Sequence, residues 1–263
     1  MGFKIFSVAM QKQQRSLSLI TYNIHKGFGF SKRFLLPEMR EALLTLSPDF
    51  VFLQEVQGEH RRREKRIGAW PDAPQFEYIA EKIWPHYLYA KNAIYQSGHH
   101  GNAILSKYPF DRFENINLSS MNRASRSILH SQIKIGEGQQ QINVHLLCVH
   151  LGLFKTERFS QCNALMQRIS EAVPEHEPLL MAGDFNDWRH HLSKPLAEEL
   201  GINEAFYSMK GRHARSFPAI QPAFCVDRIY FRGMRVSDVY CLKGKPWRML
   251  SDHVPLLARF EFI

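Results

Sequence analysis

Apolar and polar positions along the chain follow two periods, and the change from one to the other marks the elements. Leu17–Asn23 reads as a strand, and Asp49–Glu55 is a near-continuous apolar run, the mark of a strand covered on both faces. Ile128–Ile135 and Gln141–His150 predict two strands around a turn at Gly136–Gly138. Leu179–Gly183 is another buried strand, and Ala103–Ser106 begins one more. The C-terminal part predicts strands at Asp227–Phe231, Val236–Leu242 and Val254–Phe262. Helical spacing over Thr156–Val173 lines up Phe159, Cys162, Leu165, Met166 and Ile169. Shorter helices are predicted at Pro37–Leu46, Phe76–Ile83 and Lys194–Leu200. Buried strands interleaved with helices, without a Gly/Ser- or Pro-rich linker or an internal repeat, predict a layered α/β domain over residues 17–263. An N-terminal arm, residues 1–16, precedes it.

The placement of polar residues adds chemistry to this pattern. Residues two apart in a strand share a face. Leu17, Leu19 and Thr21 lead to Asn23; Val51 and Leu53 lead to Glu55; Val144, Leu146 and Cys148 lead to His150; Leu180 and Ala182 lead to Asp184 and then Asn186. One such ending is an ordinary turn residue. Four, from distant parts of the chain, predict a common rim of polar groups at strand ends, where layered α/β proteins bind ligands. The residue types suit phosphate chemistry with a hard cation. Magnesium takes oxygen ligands and is often held by one or two carboxylates plus substrate phosphates. Asn23 and Glu55 can supply such a site. Asp184 can orient or deprotonate a water that Asn186 holds, while His150, His253 and Arg126 can stabilise charge on phosphorus.

Composition narrows the partners without choosing one. The 263 residues carry 34 Lys and Arg against 25 Asp and Glu, a formal charge of +9, which favours anionic partners such as nucleic acid or anionic lipid. Cys148, Cys162, Cys225 and Cys241 form no CxxC pair and no zinc spacing, so free thiols and a reducing, cytoplasmic location are the expectation. No apolar run approaches the length of a transmembrane span.

Several short motifs, in order, resemble the endonuclease/exonuclease/phosphatase (DNase I-like) superfamily. They are Thr21-Tyr22-Asn23-Ile24, Gln54-Glu55, Gly183-Asp184-Phe185-Asn186, Asp227-Arg228-Ile229 and Ser251-Asp252-His253. Gly98–Ser106 is similar to the family's Gly-x-Ala-x-Leu-Ser loop. The resemblance runs from about Leu17 to the C-terminus and implies a four-layer α-β-β-α sandwich. It implies a divalent metal, Mg2+ or Mn2+, at Asn23, Glu55 and Asp252. It also implies that Asp184 and Asn186 handle the nucleophilic water and phosphate, and that Asp227 orients His253. His150 and Arg126 match phosphate-contacting positions.

The nearest resemblance is to bacterial members encoded beside a cardiolipin synthase, which share the strings Asn23–Phe28 and Gly98–Leu105. The expected activity is metal-assisted hydrolysis of a phosphodiester, with phospholipid or its headgroup ahead of DNA or RNA. AP endonucleases carry an acidic residue shortly after the first asparagine, where this chain has His25, so abasic-site cleavage is not the expectation. His99 and His100 are expected on a glycine-flanked loop, with His100 a candidate substrate contact. The run His60–Arg66 is either a phosphate-binding segment or a solvated loop. A binding protein that kept the fold and lost catalysis is the remaining alternative, and it ranks low because every expected polar position is filled. The oligomeric state is open.

Overall fold

The computed structural model describes residues 16–118, 126–138 and 141–263. Of the arm, only Ser16 falls among them, as the first residue of β1; the rest lies outside the described residues. One six-stranded sheet contains β1 (Ser16–Asn23), β2 (Phe50–His60), β3 (His86–Tyr95), β4 (Gly98–Ser106), β11 (Met234–Cys241) and β12 (Leu256–Phe262), in the order β11-β12-β1-β2-β4-β3. The other contains β5 (Phe110–Asn117), β6 (Ser127–Ile135), β7 (Ile142–His150), β8 (Leu179–Asp184), β9 (Asn203–Glu204) and β10 (Asp227–Arg232), in the order β5-β6-β7-β8-β10-β9. Each sheet is antiparallel except for one central parallel pair, β1 with β2 and β7 with β8. Parallel neighbours need a crossover, and helices supply it: α1 (Leu36–Leu46) joins the first pair and α4 (Lys155–Ala172) the second.

The apolar pattern accounts for four layers. Leu17, Leu19, Phe50, Phe52 and Ile104 pack face to face with Leu146, Cys148, Leu180, Ala182 and Ile229 between the sheets. The alternate residues Ile20, Tyr22, Val51 and Leu53 pack outward against Met39 and Leu43 of α1, Ile79 of α3 (Gln75–Ala80) and Trp247 of α7 (Trp247–Leu250). On the far side Leu147, Val149 and Met181 meet Cys162, Leu165 and Ile169 of α4 and Leu196 of α5 (Ser193–Leu200). Two short helices, α2 (Arg61–Glu64) and α6 (Ala205–Lys210), complete the set. The expected α-β-β-α sandwich is present.

Two expectations need correction, and two strands went unforeseen. The segment Gly98–Ser106, expected as a loop opening into a strand, is strand throughout and pairs with both β2 and β3, so His99 and His100 lie in a sheet. The strands β3 and β5 did not stand out in the sequence. Both are sheet edges with few buried residues, so neither shows a clean alternation. Finally, the basic run begins with helix α2, where the His60 ring accepts a hydrogen bond from the Arg63 N–H at 3.4 Å.

Strict alternation also puts Glu55 with Val51 and Leu53, on the face the helices cover. The ladder between β2 and β4 slips between Leu53 and Val56, and Glu55 adopts φ 56°. This bulge inserts one residue and re-aims the carboxylate, which lines the same cleft as Asn23.

Gly183 fixes the spacing beside Asp184. Its φ is 152°, and a Cβ there would stand 1.8 Å from the Val149 carbonyl oxygen on the neighbouring strand. Gly183→Ala is therefore expected to destabilise the protein by about 1–3 kcal/mol or more through overpacking. Gly68→Ala, where a Cβ meets nothing within 4 Å, is expected to stay within about 0.5 kcal/mol. Urea midpoints of the two variants check this; equal midpoints would refute the close approach.

Candidate active site

Register brings three of the predicted residues side by side. In the ladders, Asp184 of β8 stands opposite His150 of β7 and Asp227 of β10. Asn23 arrives from the other sheet and donates from Nδ2 to Asp184 Oδ2 at 3.2 Å. The Asn186 backbone N–H donates to Asp184 Oδ1 at 3.0 Å, and the Asn186 side chain donates to the Leu151 carbonyl at 2.9 Å. The Asn186 backbone is left-handed at φ 51°, which asparagine tolerates better than most residues. Asn23, His150, Asp184 and Asn186, with Glu55, Arg126, Asp252 and His253, line one cleft of about 540 Å³.

His253 follows the loop after α7 and donates from Nδ1 to Asp227 Oδ2 at 2.9 Å, leaving Nε2 3.9 Å from Asp184 Oδ2. Burial works against charge on this ring. The Asp227 carboxylate and its hydrogen bond outweigh that and hold His253 up at about 10. The ring is therefore an imidazolium at neutral pH. His150 behaves oppositely: burial, then the Arg126 guanidinium 3.0 Å from Nε2, hold it well below the usual histidine range. Asp184 is only 2% exposed, and burial followed by the Asp227 charge pushes it above the ordinary carboxylate range.

Glu55 is ionised for a different reason. Burial opposes its charge, but the Lys26 ammonium, which donates to Oε2, keeps it below the usual range. Lys26 was not among the sequence candidates. It sits in a turn where His25 and Lys26 have φ 45° and 60°. The backbone of the turn carries His25 Nδ1 to 3.7 Å from Asp252 Oδ1 and Lys26 onto Glu55. Residues other than glycine rarely adopt this conformation, and such strain clusters at functional sites. The signal is conformational, so composition and periodicity do not reveal it.

His100 is not among the residues lining the cleft. Burial and Lys26 lower it to about 4, with Glu55 acting the other way, so it is a neutral ring close to the acidic group. The remaining cleft walls are apolar and also went unforeseen: Leu153, Trp188, Phe217, Phe224 and Val226. Leu153 is 59% exposed and Phe224 48%, while Arg158 stacks over the Trp188 ring at 4.9 Å. They lie on loops, where no period marks them.

Two groups of side chains suit a metal ion. Asp184, Asp227 and His253 offer ligand atoms within 4.8 Å of one another. In this group His253 Nδ1 already donates to Asp227 Oδ2 at 2.9 Å, and its Nε2 stands 3.9 Å from Asp184 Oδ2. Asn23, Glu55 and Asp252 form an oxygen-only set in the same cleft, which suits a hard cation.

Comparison with known proteins identifies the fold and the family. The chain is 43% identical over 252 residues to the "Uncharacterized protein YbhP" of Escherichia coli K12, covering 95% of this chain and 98% of that one. Among solved structures it is similar to an endonuclease/exonuclease/phosphatase from Beutenbergia cavernae, with TM-score 0.73, 16% identity and coverage of 95% and 72% of the two chains. The human Nocturnin catalytic domain with bound sulfate gives TM-score 0.71 at 18% identity, covering 96% and 95%. Danio rerio TDP2 complexed with single-strand DNA product gives 0.65 at 21%, covering 94% and 99%. The profile of the Endonuclease/Exonuclease/phosphatase family matches residues 20–253, and the chain belongs to that family, whose members are generally phosphoester hydrolases.

Proposed function

We propose that this protein hydrolyses a phosphodiester by in-line attack of water, with a divalent cation, Mg2+ or Mn2+, held by Asn23, Glu55 and Asp252. The single observation that carries this reading is the meeting of Asp184, Asn23, His150 and His253 in one cleft, with Asp227 hydrogen-bonded to His253 Nδ1. The cation, when bound, polarises a phosphoryl oxygen as a Lewis acid. Asp184 holds the attacking water and takes its proton, with Asn186 and Asn23 fixing the carboxylate. His253 presents Nε2–H to a phosphoryl oxygen while Asp227 keeps the ring oriented and charged. His150 and Arg126 add donors to the same phosphoryl group.

The substrate class follows from the walls. Leu153, Trp188 and Phe224 give the cleft mouth an exposed apolar rim, which favours an ester with a hydrophobic substituent, and phospholipid is the class that fits. Nucleic acid is the second reading: aromatic rings also stack on bases, and the TDP2 neighbour was solved with DNA product. Assays of purified protein with magnesium or manganese against a model diester, a model monoester, plasmid DNA and cardiolipin vesicles separate these classes. Activity that rises on vesicles supports the lipid reading; salt-sensitive DNA binding with cleavage overturns it.

Turnover is expected to need added metal, and Glu55→Gln to lose metal-stimulated activity while the unfolding curve is kept. Titration with Mn2+, read by the free-ion resonance, is expected to show weakened binding in the same variant. Full activity in excess chelator would overturn the metal assignment.

Asp184→Asn and His253→Ala are each expected to lower turnover by about 10²–10⁴-fold, the usual cost of a positioned acid or base. They are expected to part in stability. A carboxyl whose folded pKa is raised costs stability once pH rises above its unfolded value of about 3.9. Asp184→Asn removes that cost and is expected to melt at or above the wild-type temperature at neutral pH. His253→Ala strands Asp227 as a buried charge and is expected to melt lower. Thermal melts beside the rate assays check both signs.

A further inference from the structure

Beside the cleft lies a second groove of about 550 Å³, lined by Lys26, Lys32, His60, Arg62, Arg63 and Arg66, with His25, Phe28 and Ile67. No carboxylate lines it. Lys26 answers Glu55, but among the described residues no ion pair joins Lys32, Arg62, Arg63 or Arg66 to an acid. Arg61, the first member of the basic run, pairs with Glu59 at 2.8 Å and does not line the groove.

The groove has a built floor. Arg63 lies over the Phe28 ring at 4.7 Å and donates to Gln57 Oε1 at 3.2 Å. Phe34 stacks on Trp70 at 4.9 Å, and the His60 ring sits 6.4 Å from Trp70 and 5.8 Å from Tyr95. The nearest carboxylate on this segment, Glu64, accepts from the His60 N–H at 2.9 Å and, among the described residues, forms no ion pair with Lys32, Arg62, Arg63 or Arg66. Four cations gathered without ion-paired acids repel one another, and an anion relieves that repulsion. The groove joins the catalytic cleft through the turn His25–Lys26, whose side chains reach Asp252 and Glu55.

We propose that this groove is a subsite for a second phosphate group of the substrate, adjacent to the phosphate that is hydrolysed. It rests on the phosphodiesterase reading for what occupies the neighbouring cleft. Arg62 and Arg66 supply exposed guanidinium donors, Arg63 a fixed one, and Lys32 closes the ring of charge. The chemistry required is a pair of phosphates on one molecule, which a two-phosphate lipid headgroup or a short nucleotide chain can provide.

The test uses the full chain and the double variant Arg62→Gln/Arg66→Gln, which changes exposed side chains and leaves Arg63 on its floor. Substrate pairs differ by one phosphate: 5′-phosphorylated against unphosphorylated thymidine dinucleotide, and cardiolipin against phosphatidylglycerol in mixed micelles. In the double variant the kcat/KM ratio of the two-phosphate to the one-phosphate member is expected to fall at least roughly tenfold in one pair, as for loss of a charged hydrogen bond. The pair that responds names the source. Arg61→Gln is expected to leave both ratios unchanged. Ratios unchanged in both pairs for the double variant overturn the proposal.

A second measurement reads the groove without turnover. Calorimetry with inorganic tripolyphosphate on metal-free protein is expected to show affinity at least roughly tenfold weaker in the double variant. Equal affinity overturns the subsite. If no diester is hydrolysed while this difference holds, the hydrolase reading fails and the groove stands. If diesters are hydrolysed with both ratios and the tripolyphosphate affinity unchanged, the groove fails and the hydrolase reading stands.

Discussion

Asn23 of one sheet donates to the Asp184 carboxylate of the other at 3.2 Å, across the interior of the sandwich. A carboxylate that is 2% exposed has lost nearly all its water, and leaving it unpaired would be costly. The surrounding structure is arranged to answer it. The Asn186 N–H donates from beyond the strand end, and His150 Nε2 stands at 3.6 Å and His253 Nε2 at 3.9 Å. Behind this group, Gln54 of the first sheet reaches Cys148 of the second at 3.3 Å. The packed sheets hold the distances, and the distances place the chemistry.

Charges around the cleft come in opposed neighbours: Lys26 with Glu55, and His253 with Asp227. Arg126 instead faces a neutral His150. Lys26 favours the ionised Glu55, Asp227 the charged His253 and Arg126 the neutral His150, so donors and acceptors are set before any substrate arrives. Such preorganisation is what electrostatic stabilisation of a phosphoryl transition state requires. Part of it is bought with backbone strain. His25, Lys26, Glu55 and Asn186 all have left-handed φ, and all four bear on the cleft. Rigid strands on either side over-determine these conformations.

The surroundings of the cleft are of two kinds. Leu153, Trp188 and Phe224 present an apolar rim, and beyond Lys26 lies the cationic groove of Lys32, Arg62, Arg63 and Arg66. A small inorganic phosphate needs neither. A molecule with apolar and multiply anionic parts makes use of both.

The two periods of apolar residues determined the strands and helices that build both sheets' centres, because residues buried on both faces cannot vary in polarity. The same alternation led to Asn23, His150 and Asp184, whose faces are continuous with the inter-sheet core. It led to Glu55 by a parity that does not survive: the face shared by Val51 and Leu53 is covered by helices, and only the bulge at Glu55 turns its carboxylate into the cleft. Edge strands β3 and β5 stayed illegible since a half-exposed strand imposes little pattern. Lys26, the apolar rim and the division of the basic run, with Arg61 turned to Glu59 and Arg62, Arg63 and Arg66 to the groove, belong to loops and turns. There, direction is set by local backbone conformation and by neighbours distant in the chain, and only the assembled sheets supply those neighbours.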